Sequence, residues 1–116
     1  MSEQTGTVMD VEEGLKRLGG NKKLYCKLLK TFLTQPTYGE LKAHIESADI
    51  EKAQASAHAL KGMAANLSLK ALYESVAELE AKLKQGSIDD GLMVAVKQIN
   101  EATTNKINEY IVANQP

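Results

Sequence analysis

The sequence predicts an all-helical protein, an up-down antiparallel four-helix bundle with a short extra helix at its N-terminus. Three observations carry this. Apolar residues recur at spacings of three and four over most of the chain. Prolines stand only at 36 and 116, and no stretch alternates apolar and polar residues as a half-buried strand would. Capping and stop residues fall where the periodicity changes phase.

Val8, Val11, Leu15 and Leu18 give the short first helix, which Gly19 and Gly20 stop. Asp10 and Glu13 have the spacing of a capping box, so the helix begins at residue 8 or 11. Asn21 caps a second helix with Leu24, Leu28 and Phe32 inward, and Pro36 breaks or kinks it. Thr37 and Glu40 read as the next capping box, ahead of Tyr38, Leu41, Ile45 and Ala48. Asp49 caps a helix whose inner face is Ile50, Ala53, Ala57, Leu60, Ala64 and Leu67. Ser68 restarts the chain for Leu69, Leu72, Val76, Leu79 and Leu83, up to Gly86. Ser87 and Asp90 open the longest helix, through Leu92, Val96, Ile99, Tyr110 and Ile111. Short connections make successive long helices antiparallel. We expect residues 1–7 to be a flexible tail and 8–113 to form one domain.

Composition narrows the function. A net charge of -1 offers no surplus to neutralise nucleic-acid phosphates. Glu78, Glu80, Lys82 and Lys84 interleave their signs, as a solvated face does. The single cysteine, Cys26, can form no intrachain disulfide and reads as a small residue on a helix flank. No apolar run is long enough for a bilayer, and the polar start has no signal-peptide pattern. We therefore expect a cytoplasmic protein without membrane or nucleic-acid partners. A single apolar face per helix implies a monomer. There is no glycine-rich phosphate loop, His44 and His58 lie too far apart for one metal, and no inward Glu-x-x-His occurs. A self-sufficient enzyme site is not expected.

One segment stands out, Ala57 to Asn66. At about 100° per residue, His58 projects roughly 130° from the inward face of its helix. Its neighbours on that outer strip are Gln54, Ala55, Lys61, Gly62 and Ala65. Three of these are Gly or Ala, which leaves the imidazole uncovered. A glycine inside a helix costs about 1 kcal/mol relative to alanine, so Gly62 implies a close approach that a methyl would hinder. Lys61 offers an ammonium to an anion on the ring. Together they describe a nucleophile with space and a counter-charge for a phosphoryl group. A lone helical histidine is ordinarily a plain surface residue, a reading His44 keeps and that spacing alone leaves open for His58.

Ala57, His58, Lys61 and Gly62 match the signature of the histidine-containing phosphotransfer (HPt) family, which the sequence resembles over most of its length. Gly14 to Asn21, Leu24 and Phe32 look like the family's N-terminal part, and Leu72 to Leu83 like the helix after the histidine. The resemblance implies that His58 accepts the phosphoryl group through Nε2, that Lys61 helps neutralise it and that Gly62 keeps the approach open. Gln54, Ala55 and Ala65 would border the docking face of a receiver domain. Glu80 falls where a polar side chain often takes the other ring proton in this family; a solvent-facing Glu80 remains the other reading. Ala65 and Ser68 replace glycines common in the family, and Ser68 reads better as a helix cap. The implied partners are response-regulator receiver domains, a hybrid histidine kinase, or both. The protein needs no cofactor of its own, and the receiver brings the Mg²⁺. It has no kinase active site and serves as a phosphotransfer intermediate. Two alternatives stand beside this: a helical adaptor that binds a receiver without transfer, and a phosphoacceptor domain excised from a larger sensor kinase.

Overall fold

A computed structural model of the chain describes residues 8–114. The expected tail, residues 1–7, lies outside the described residues. Six helices occur among those described: α1 (Val11–Arg17), α2 (Lys22–Thr34), α3 (Thr37–Glu46), α4 (Ile50–Asn66), α5 (Lys70–Lys84) and α6 (Asp90–Ala113). The expected kinked element is thus two helices, α2 and α3. Gln35, which precedes the proline, is extended at φ -74° and ψ 138°, as proline demands of its predecessor, so α2 ends there. No helix among the described residues is long and apolar enough to cross a membrane.

α4 packs against α3 on one side and α5 on the other; α5 packs against α6, and α6 against α2. The core centres on Tyr25, Leu29, Leu41, Leu60, Leu69, Leu72, Leu79, Leu83 and Ile107. The inner faces of α4 and α5 fall as their periodicity predicts. α2 is rotated by one residue from expectation: Tyr25 and Leu29 are buried, whereas Leu24 is exposed and Leu28 half-buried. Tyr25 turns inward because its hydroxyl donates to the Leu67 carbonyl at 2.7 Å and its ring lies over Gly14. A Cβ on Gly14 would stand 2.6 Å from that ring, so only glycine fits.

Three helix starts are capped as expected. Asp10 accepts from the Glu13 amide, Asn21 from Leu24 and Asp49 from Lys52. Two expected starts are corrected. Pro36 occupies the N-cap of α3, which leaves Thr37 inside the helix with no capping bond. Asp89, rather than Ser87 with Asp90, caps α6 by accepting from the Leu92 amide.

Four helices end in one motif, in which the first residue past the C-cap is left-handed and the amide after it closes on a carbonyl five residues back. Gly19 and Gly86 fill the left-handed position after α1 and α5, and Ala48 and Ser68 fill it after α3 and α4. Ser68 therefore ends α4 rather than capping α5, whose N-cap is Leu69. A left-handed L-residue costs about 1–2 kcal/mol, and glycine's extra unfolded freedom offsets about 0.4–1 of this. Ala48 is exposed at φ 59°. Ala48→Gly is accordingly expected to stabilise the fold by about 0.5–1 kcal/mol in chemical denaturation.

Candidate functional site

The site is built where α4 crosses α5. Ala53, Ala57 and Ala64 are fully buried on the inner face of α4. Side chains this short let neighbouring helices approach closely. His58 stands on the opposite flank, its side chain 73% exposed, and reaches across to Glu80 of α5. Gly62 and Ala55 are exposed along the same strip, with Gln54, Lys61 and Ala65 half-buried beside it. The expected strip is therefore assembled as the spacing implies, with His44 on a different helix, α3.

Glu80 is not on a solvated face. It is only 2% exposed, whereas Glu78, Lys82 and Lys84 around it are exposed. His58 Nδ1 lies 3.0 Å from Glu80 Oε2. A carboxylate can only accept, so Nδ1 carries the proton and donates it, and in the neutral ring the lone pair is then on Nε2, the nitrogen away from Glu80. The other carboxylate oxygen, Oε1, holds the Lys61 ammonium. Lys84, one turn after Glu80, places its ammonium 3.8 Å from Oε2. Burial would raise the Glu80 carboxyl, but the bonds from Lys61 and His58 and the Lys84 charge outweigh it and hold it below the usual carboxylate range. Lys61 is raised in turn, chiefly by its bond to Glu80. The carboxylate stays ionised at neutral pH, so the ring tautomer is fixed. Sequence reasoning passed over Lys84, although its spacing of four from Glu80 was the signal.

A Cβ built on Gly62 meets nothing within 4 Å, so the fold itself does not require this glycine. Gly62→Ala should stabilise α4 by about 1 kcal/mol. On the phosphotransfer role that the family resemblance implies, the same change should slow transfer from a receiver by roughly tenfold, since displacements of ~1 Å at a reacting centre have effects of that size or larger. Gly39, also helical, exposed and unobstructed, is the control: Gly39→Ala should leave transfer unchanged. Thermal melts and single-turnover labelling read the two effects separately.

Beyond the strip, an open groove of about 770 Å³ is lined by Leu28, Phe32 and Gln35 of α2 and its end, by Met63, Asn66 and Leu67 at the end of α4, and by Arg17 and Leu18 at the end of α1. At the end of α4, the Ser68 hydroxyl donates to Glu13 at 2.9 Å, and Lys70 pairs with Glu13 at 2.8 Å. Lys70, Ser68 and Arg17 together lower the Glu13 carboxyl to about 2. These bonds fasten α1 to the α4–α5 turn. Ser68 is therefore a tertiary tie rather than a helix cap.

The fold and this site define a helical domain that presents one oriented imidazole nitrogen, Nε2, to solvent. The Hpt domain family model matches residues 28–106, more than half of the chain, and the chain belongs to that family. Membership places it in two-component phosphorelay signalling. Gly14 to Asn21, which resembles the family's N-terminal part, lies outside the matched span. No curated protein and no solved structure matches the chain.

Proposed function

We propose that the protein relays a phosphoryl group between aspartates of receiver domains through phospho-His58. The observation that carries this is the His58–Glu80 bond, which fixes the proton on Nδ1 and leaves Nε2 as an exposed nucleophile. Nε2 attacks the phosphorus of a receiver's phospho-aspartate in line, and the aspartyl carboxylate leaves. Glu80 stabilises the positive charge that develops on the ring, and Lys61 anchors Glu80 while adding positive charge beside the phosphoryl position. Gly62, Ala55, Gln54 and Ala65 border the surface over which the receiver settles, and the open groove lined by Leu28, Phe32 and Met63 extends it. The receiver supplies the Mg²⁺.

In this reading α2 and α3 act as one broken element of an up-down four-helix bundle, with α1 as the extra helix. The domain works in the cytoplasm as a monomer that meets its receivers and kinase transiently. The test is transfer of label from a phosphorylated receiver domain, with a histidine kinase and ATP as a separate donor. Acid-labile, alkali-stable label from the receiver supports the relay. Label from the kinase alone favours a kinase-attached phosphoacceptor, and receiver binding without label leaves an adaptor.

A further inference from the structure

Resting on the relay reading, we infer that Lys84, beside Lys61, is a second lysine that contacts the phosphoryl group on His58. The two lysines flank the same carboxylate but are held differently. Lys61 lies directly on Oε1 with its side chain 25% exposed. Lys84 stands 3.8 Å from Oε2 with its side chain 57% exposed. It is the last residue of α5, ahead of the turn at Gly86. One ammonium is committed to Glu80, and the other is free to move.

The charges at the site point the same way. Glu80 contributes one negative charge, Lys61 and Lys84 one positive charge each, and the imidazole none before transfer. Lys61 balances Glu80, which leaves Lys84 as the surplus. In the transfer step the Nε2 lone pair forms the N–P bond while the aspartyl O–P bond breaks, its electron pair leaving with the carboxylate. The Nδ1 proton stays on the ring, shared with Glu80. The PO₃ unit that arrives brings one net negative charge, equal to the surplus on Lys84. Oε2 is also the oxygen that holds the ring, so Lys84 and the imidazole share one carboxylate oxygen. Its flexible four-carbon stem lets the ammonium follow a group attached at Nε2.

An ordinary helix-end role must be distinguished, since Lys84 also suits the negative end of α5 and an i,i+4 pair with Glu80. Lys82 shares that last turn, is exposed, and forms no ion pair among the described residues, so it serves as the control. The experiment measures loading of His58 from a saturating phospho-receiver and, separately, from phosphoramidate, in full-length K84Q, K84R, K61Q and K82Q. Helical content by circular dichroism checks each fold. K84Q should load roughly five- to tenfold more slowly from both donors, a size suited to an exposed charge contact. K84R should restore most of the rate, K82Q should match the unaltered protein, and K61Q should lose helix stability as well as rate. Three results overturn the inference: K84Q loading normally from both donors, K84Q slow with the receiver alone (a docking contact), or K84R as slow as K84Q. Failure of the unaltered protein to load from any donor would instead remove the relay reading itself.

Discussion

His58→Gln is expected to abolish phosphoryl uptake altogether while leaving the fold unchanged. The two halves of this result have separate causes. The side chain is 73% exposed, so its replacement by another helix-compatible polar residue removes almost no packing. A glutamine amide can still donate to Glu80, so the buried carboxylate keeps a partner, and Lys61 stays in place. What is lost is, among the described residues, the one exposed ring nitrogen held in a defined tautomer. No neighbouring side chain on the strip is a nucleophile: Gln54, Ala55, Gly62 and Ala65 have none, and the Lys61 amine is protonated. Uptake should therefore fall to background rather than by a modest factor. Labelling from a phosphorylated receiver measures the first half, and a thermal melt overlying that of the unaltered protein measures the second. Label persisting on the variant would move the acceptor to another residue, with His44 of α3 next.

Legibility in the sequence follows how local each determinant is. The inner faces of α4 and α5 could be read because one apolar stripe at helical spacing admits one phase. α2 could not, because Leu24, Tyr25, Leu28, Leu29 and Phe32 form a stripe broad enough for two phases. Distant partners, the Leu67 carbonyl and the space over Gly14, decide between them. The helix ends divide similarly. Gly19 and Gly86 announce a left-handed turn, whereas Ala48 and Ser68 adopt the same geometry without a residue that prefers it. Ser68 gains two side-chain bonds there, from Arg17 at 3.4 Å and to Glu13 at 2.9 Å, which no spacing rule connects across fifty residues.

The site shows the same division. The strip around His58 lies on one helix, so its membership follows from angle alone. Glu80 lies on the next helix, and its burial depends on how α4 and α5 pack together. A charged residue among alternating lysines ordinarily faces solvent. Here, three positively charged or proton-donating groups converge on one carboxylate, which makes its burial tolerable.

Removing that carboxylate is the second change with a large expected effect. In Glu80→Ala, the imidazole loses both its orientation and the charge that stabilises it as Nε2 attacks. Hydrogen bonds to charged groups are worth about 1.5–3 kcal/mol, so transfer should slow by roughly 10- to 100-fold. Glu80→Gln separates the two contributions. Its amide oxygen still accepts from Nδ1–H and keeps the tautomer, but it offers no full charge to the developing imidazolium, so its rate should fall between the two. Stability should fall as well, because Lys61 and Lys84 lose their shared counter-ion; with both ammonium groups partly exposed, about 1–2 kcal/mol is expected. The pH dependence has a defined sign. Glu80 is held below its ordinary value in the fold, so its contribution is present above the unfolded carboxylate pKa and lost as pH falls through the lowered one. The stability difference between the unaltered protein and Glu80→Gln should accordingly be full at neutral pH and shrink in acid, as denaturation at a series of pH values can follow. A Glu80→Ala protein that transfers at the unaltered rate would show that the His58 tautomer is set without this carboxylate, and the site would then reduce to an exposed histidine beside a glycine.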